Sequence, residues 1–213
     1  LVADLHIAVS VRGSGEVEST DVGIGSYSFS NLDSTLVFNR RVLTQGEAGA
    51  ALTAQGLLLR HACDADLPRL RDVYADTRKD EMARVPWPDL VKRSFLDSQF
   101  ALQHQHYLQH YAGTDFLVVE HGGAVQGRYY LLRRADADLI VDISLMTPFR
   151  GRGIGRALIE ASQREARAGG RGMTLHVLHA NLPAMRLYQR LGFALNGGTD
   201  THHRMDWRGP LAS

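Results

Sequence analysis

The feature that most restricts this chain is a strand-to-helix junction, Arg150-Gly151-Arg152-Gly153-Ile154-Gly155. Before it, Leu139 to Leu145 reads as a β-strand. After it, Ile154, Ala157, Leu158, Ala161 and Ala168 share one face of a helix that Gly169 and Gly170 stop. The first N–H groups of a helix have no internal partners and sit at the positive end of its dipole, and glycines let backbone come close to an anion. Arg150, Arg152 and Arg156 add charge. A tight turn without a ligand is the other reading of a Gly-x-Gly pattern, and the nearby arginines favour the anion. Two nucleotide sites are excluded. A P-loop needs Lys followed by Ser or Thr after its last glycine, whereas Arg156-Ala157 follow Gly155. A dinucleotide site wants an acidic residue about twenty positions on, where this chain has Leu175-His176-Val177-Leu178-His179.

Upstream of that junction, three β-rich runs, Asp115 to Glu120, Val125 to Arg133 and Leu139 to Leu145, are separated by Gly122-Gly123 and by Ala135-Asp136-Ala137-Asp138, which predicts an antiparallel meander. They follow a short strand, Leu57 to Arg60, and a helix that Asp64 can cap, with Leu67, Leu70 and Tyr74 along its stripe. A second, long helix should run from after Pro86-Trp87-Pro88 to about Tyr111, with Leu90, Phe95, Gln99, Leu102, His106 and Tyr107 at mixed helical spacings. Downstream, Met173 to Leu178 reads as a strand. Asn181 then opens a helix with Pro183 in its first turn and Gly192 at its end, and Phe193 to Leu195 and Thr201 to Trp207 close the sheet.

The first 56 residues differ. Two β-like runs, Leu5 to Val11 and Thr35 to Val42, precede a small-residue stretch, Gly46 to Gly56, that reads as a linker. The division is therefore a β-rich N-terminal extension over 1–56 and a main domain over 57–213. So short an extension is marginal for a core of its own, and it should pack on the main domain or on a second copy of the chain.

Composition narrows the function classes. The 24 Lys plus Arg nearly balance 23 Asp plus Glu, so no global field favours nucleic acid or a membrane surface. No apolar run approaches bilayer length and no charged-then-apolar leader opens the chain, so a cytoplasmic location is expected. Cys63 is the sole cysteine, which rules out an internal disulfide framework and predicts a buried or inert thiol. His106 and His110 share a helix face, but no Glu between them makes the zinc-protease pattern, and no metal is expected.

Arg150-x-x-Gly153-x-Gly155 resembles the signature of the GNAT superfamily of acyl-CoA-dependent N-acyltransferases. Asn181-Leu182-Pro183-Ala184, followed by Leu187-Tyr188-x-x-Leu191-Gly192-Phe193, resembles its second motif in order and spacing. The resemblance covers about residues 57 to 207 and leaves the extension without support. It implies an α/β fold, a mixed and mostly antiparallel central sheet flanked by helices. It also implies acetyl-CoA as cofactor and transfer of an acetyl or short acyl group to a primary amine of a small molecule or peptide. Strand-sharing dimers are common in the family, so a homodimer is one arrangement it suggests.

By the same resemblance, a pantetheine arm bonds to backbone around Leu145, Met146 and Thr147. The pyrophosphate is held by N–H groups of Arg152, Gly153, Gly155 and Arg156 in the loop from Arg150 through Gly151 to Ile154. Tyr188 matches the general acid, because a phenol near its ordinary pKa stays protonated at neutral pH. Its other reading is core packing, since Ala184, Leu187, Tyr188 and Leu191 also form an apolar stripe. Asn181 is a helix cap and, by resemblance, a hydrogen-bond partner of the cofactor arm. Asp142, a carboxylate within an apolar strand, is the candidate base or else a buried structural acid, and Glu81 is the alternative base. The acceptor pocket is expected to draw on Arg78, Glu81, Trp87, Phe95, Gln99, Gln103 and His106, although the polar face made by Gln99, Gln103 and His106 is equally consistent with solvent. Two rival functions stay open: a CoA-binding sensor without turnover, and a protein-directed transferase subunit that uses its extension.

Overall fold

The computed structural model describes residues 52–209, so the strands expected at Leu5 to Val11 and Thr35 to Val42 lie outside the described residues. Leu52, from the stretch read as linker, is only 2% exposed and belongs to the core.

Strand β1 (Leu57–His61) is followed by a 3-10 turn (Asp64–Asp66), helix α1 (Leu67–Thr77), the short α2 (Lys79–Met82) and the long α3 (Asp89–His110). Strands β2 (Thr114–His121), β3 (Ala124–Leu132) and β4 (Ala137–Leu145) form the antiparallel meander. Helix α4 (Ile154–Ala168) crosses over to β5 (Gly172–Leu178), and α5 (Leu182–Arg190), β6 (Ala194–Gly198) and β7 (His202–Trp207) follow. The sheet order is β1-β2-β3-β4-β5-β7-β6, with β4 and β5 parallel and the other neighbours antiparallel. A parallel pair needs a crossover, and α4 provides it.

Each face of the sheet carries its own core. On one, Ile154, Leu158 and Ile159 of α4 and Tyr188 of α5 pack with Ile140, Leu175, Val177 and Met205. On the other, Leu70, Val73 and Tyr74 of α1 and Leu96, Phe100 and Tyr107 of α3 pack with Phe116, Tyr130 and Leu139. Alternation along the strands sends successive side chains to opposite cores.

Three sequence expectations need correcting. The buried stripe of α3 is Leu96, Phe100, His104 and Tyr107, so of the expected residues Tyr107 is buried while Leu90 is 82% exposed. Burial there follows i, i+4, i+8, i+11, and a histidine occupies one of the positions. Asp64 does not cap α1. Instead Asp66 reaches back, its carboxylate accepting from the Cys63 N–H at 2.9 Å and from two nitrogens of Arg60 at 2.7 and 2.8 Å. Cys63 is exposed, because it sits at the start of that turn and outside either core.

One irregularity positions the site. The β3–β4 register slips between Tyr130 and Leu131, so that Tyr130 faces Asp142 while Leu131 faces Ile140, leaving Val141 as the extra residue of a β-bulge. Bulges bend a strand and increase its twist. β4 pairs with β5 only from Ala137↔Gly172 to Ile140↔Leu175, and beyond the bulge the two strands part. The sheet is thus open in its middle, between Val141–Leu145 and His176–Leu178.

Candidate active site

The loop that follows β4 lies at the mouth of this opening. Met146 N–H donates to the Gln126 carbonyl at 2.8 Å, which makes Met146 and Gln126 a hydrogen-bonded pair and turns the N–H and C=O of Leu145 and Ile143 away from β3, toward the gap. A 3-10 turn (Thr147–Phe149) then leads into the glycines. Gly151 and Gly153 have φ of 72° and 80°, in the left-handed region that glycine enters without strain. Gly153 is the N-cap of α4, and its carbonyl accepts the first helical bond, from the Ala157 N–H at 2.9 Å. None of the backbone N–H groups from Gly151 to Arg156 has a partner among the described residues. A diphosphate is chemically suited to such a row of donors at a helix start.

The arginines contribute less free charge than their number suggests. Arg150 folds back, donating from Nε to the Leu145 carbonyl at 2.7 Å and from Nη2 to Asp76 Oδ2 of α1 at 2.6 Å. Arg156 pairs with Glu160 at 2.8 Å, and the Arg152 guanidinium lies 5.2 Å above the Phe149 ring. The same Asp76 carboxylate accepts from the Thr147 N–H at 2.7 Å and from Thr147 Oγ1 at 2.9 Å. Of the three backbone positions expected to face the cofactor arm, Met146 and Thr147 therefore have their N–H groups engaged, while the Leu145 N–H faces the opening.

Tyr188 lies on the far side of the gap. Its ring is 7% exposed, meets Phe193 nearly edge-on at 6.1 Å, and its hydroxyl has no hydrogen-bond partner among the described residues. Burial, with a smaller push from the Asp142 carboxylate, raises the phenol well above its ordinary range, so it holds its proton at neutral pH. Packing and an available hydroxyl thus coexist in one residue. Asn181 caps α5 through Oδ1, which accepts from the Ala184 N–H at 3.2 Å, leaving its amide nitrogen as a donor beside β5.

Asp142 is placed differently from the expectation for a base. It accepts from Arg128 Nε at 3.1 Å and Nη2 at 2.7 Å, from the Tyr107 hydroxyl at 3.0 Å and from Ser144 Oγ at 2.7 Å. Arg128 is 3% exposed and also donates to Gln103 Oε1 at 2.7 Å. Burial opposes the charge on Arg128, but the Asp142 carboxylate outweighs it and holds the guanidinium protonated. The cluster joins α3, β3 and β4 at the bulge. Gln103 thus points inward rather than to solvent.

The remaining expected residues are scattered. Arg78 lies over the Tyr74 ring at 5.5 Å and pairs with Glu81, which is exposed. Trp87 meets Phe95 edge to face at 5.5 Å, Gln99 is half-buried, and His106 stacks on His110 at 4.2 Å. Among the described residues no three potential ligands converge on a metal site. A cleft of about 460 Å³ lies between α1, α2 and the start of α3, bounded by Asp72, Asp76, Lys79, Met82, Arg93 and Leu96, and none of the expected acceptor residues lines it. Sequence reasoning missed Asp76 and Arg128. Asp76 gives no local signal, but Arg128 is a lone cation in an apolar strand, with Asp142 as the matching anomaly in the next one.

A sequence profile of the acetyltransferase (GNAT) family matches residues 70–193, more than half of the chain. The chain belongs to the GNAT acetyltransferase family. The family's cofactor is acetyl-coenzyme A. Streptothricin acetyltransferase of Streptomyces lavendulae is 42% identical over 59 residues, a stretch that takes in 27% of this chain and 31% of that enzyme. The chain thus aligns with less than a third of the length of this curated relative. Among solved structures, the PaiA N-acetyltransferase of Thermoplasma acidophilum, in complex with coenzyme A, superposes with a TM-score of 0.56 at 18% identity, over 72% of this chain and 99% of that one. The ribosomal-protein-S18-alanine N-acetyltransferase of Escherichia coli gives 0.51 at 18%, over 74% and 96%. These likenesses show the GNAT fold. No helix among the described residues is long and apolar enough to cross a membrane.

Proposed function

We propose that this GNAT protein transfers an acetyl or similarly short acyl group from acetyl-CoA to a primary amine of a small molecule or peptide. The observation that carries the reading is the row of unpartnered N–H groups, Gly151 to Arg156, at the mouth of the gap between β4 and β5. In this reading those groups hold the diphosphate, with the dipole of α4 behind them. The Leu145 N–H and the polar groups of Ile143 hold the amide-bearing arm, and the amide nitrogen of Asn181 meets it from the start of α5. Acetyl-CoA, when bound, supplies a thioester open to attack by a neutral amine.

Tyr188 stands ready to donate its proton to a departing thiolate, because burial keeps the phenol protonated and none of the described residues occupies its hydroxyl. Asp142 serves as an anchor for Arg128 and not as the base, since its lone pairs are taken by Arg128, Tyr107 and Ser144. Glu81 is exposed and pairs with Arg78, and the amine's proton passes to solvent. The relatives named above are an acetyltransferase of streptothricin and an N-acetyltransferase of a ribosomal-protein alanine.

Calorimetry with coenzyme A, joined to thiol release over a panel of amines with acetyl-CoA, tests the reading. Native protein should bind and turn over. Tyr188→Phe should keep its affinity for coenzyme A while turnover drops about 100-fold or more, the lower range of general acid catalysis. Equal turnover would remove the acid role, and native binding without turnover on any amine would leave a CoA-binding module only.

A further inference from the structure

We propose that Asp76 is a positioning residue for the cofactor loop, and that Arg150 acts through it as an internal clamp rather than as a cation offered to phosphate. The inference rests on the reading that the Gly151 to Arg156 amides bind coenzyme A. The Asp76 carboxylate lies at the end of α1, 71 residues before Thr147 in sequence, and takes three bonds from the segment that leads into the loop: Thr147 N–H, Thr147 Oγ1 and Arg150 Nη2, at 2.7, 2.9 and 2.6 Å. Arg150 closes the figure by donating Nε to the carbonyl of Leu145 at 2.7 Å, the last residue of β4.

The geometry decides between two roles for Arg150. Its Nε and Nη2 are spent on Leu145 and Asp76, and the Asp76 carboxylate offsets its charge, so little field reaches an anion beyond the glycines. Its position instead fixes both ends of the turn, Leu145 and Arg150, to one point on α1. Between them Thr147–Phe149 forms only a single 3-10 turn, which cannot hold an orientation alone. A loop with left-handed glycines has many conformations when untethered, and ordering it on binding would weaken affinity. Asp76 removes that cost beforehand. Its side chain is 15% exposed against 45% for Arg150, so the shielded partner is the carboxylate.

The two roles predict opposite results. For a clamp, Asp76→Ala and Arg150→Ala should each weaken coenzyme A binding by about tenfold or more, the range for loss of bonds to a charged group. The double variant should be no worse than the weaker-binding single one, because both changes open the same figure. The KM for acetyl-CoA should rise by a larger factor than kcat falls. Asp76→Asn, which keeps acceptors for Thr147, should lie between, and Thr147→Val should give a smaller loss. These last two keep the test alive if Asp76→Ala unfolds, and denaturant midpoints show which variants are folded. If Asp76→Ala binds coenzyme A as tightly as native protein or tighter while Arg150→Ala binds poorly, Arg150 is a phosphate ligand and the clamp is wrong. Losses that multiply in the double variant overturn it equally. Failure of native protein to bind coenzyme A would overturn the reading of the loop itself.

Discussion

Replacing Asp142 by Asn asks what the buried cluster at the bulge is for. The change is nearly isosteric and leaves an acceptor for Tyr107 and Ser144, but it strips the counter-charge from Arg128, whose side chain is 3% exposed against 10% for its partner. Removing one member of a buried pair costs about 3–5 kcal/mol, because the survivor stays charged in a poorly solvating site. Arg128 cannot escape by losing its proton, since guanidinium remains protonated under ordinary conditions. Against a typical domain stability of about 5–15 kcal/mol, this is a fifth or more of the total. For a domain of this size each kcal/mol shifts the melting temperature by about 2–4 °C, giving a drop of about 6–20 °C. Urea unfolding followed by tryptophan fluorescence, with calorimetric melting alongside, measures it. Arg128→Met combined with Asp142→Leu should recover most of the loss, because an apolar pair of similar volume leaves no orphaned charge. A single variant within about 1 kcal/mol of native stability, well outside the expected range, would refute the anchor and return Asp142 to the list of bases.

Acid should destabilise the protein partly through His104, which burial, with a contribution from Arg128 and against a weaker opposing pull from Asp64, lowers from 6.5 to about 4. Because the folded value is the lower one, the unfolded chain alone binds the proton between those limits, so stability falls as pH drops through the window, by about 3 kcal/mol at pH 4. His104→Leu should flatten that segment of the pH–stability curve, and an unchanged curve would contradict it. Gly153→Ala should lose about 1–2 kcal/mol from the positive φ alone, since a Cβ there meets nothing within 4 Å. Chemical denaturation reads it, and a neutral result would mean that the loop relaxes. Asn181→Ala should remove about 1 kcal/mol by uncapping α5, measurable as a lowered denaturation midpoint, and an unchanged midpoint would discount the cap.

Much of the fold was legible because its signals are local. Gly122, Gly123, Gly151, Gly153 and Gly192 punctuate the chain, and strand alternation and the α4 stripe have fixed periods. The boundaries of β2 to β5 in the structure lie within two residues of the sequence reading. Helix α3 was legible in length but not in face, since His104 and Tyr107 are buried by contacts from Arg128 and Tyr130, residues far away in the chain. The site divides in the same way. The glycine loop and the Asn181–Tyr188 motif announce themselves by spacing, whereas the Asp76–Thr147–Arg150 figure and the Arg128–Asp142 pair exist only once α1, α3 and β3 are assembled. Charge counting in sequence also overstated the loop, because two of its three arginines are occupied by carboxylates, Arg156 by Glu160 one helical turn on and Arg150 by Asp76, which no local pattern reveals.

The early parting of β4 and β5 has a consequence for the rest of the molecule. A sheet interior normally satisfies every main-chain group, yet here several are left unmatched in mid-sheet, flanked by well-paired neighbours on both sides. Among the described residues the two halves, β1 to β4 and β5 to β7, are therefore joined by the four register pairs that end at Ile140, together with the helices above and below. An extended guest with alternating amide groups would knit them into one continuous ladder. Such a protein should become stiffer across its middle when loaded, so that occupancy is felt at both outer edges of the sheet and not only where the guest lies.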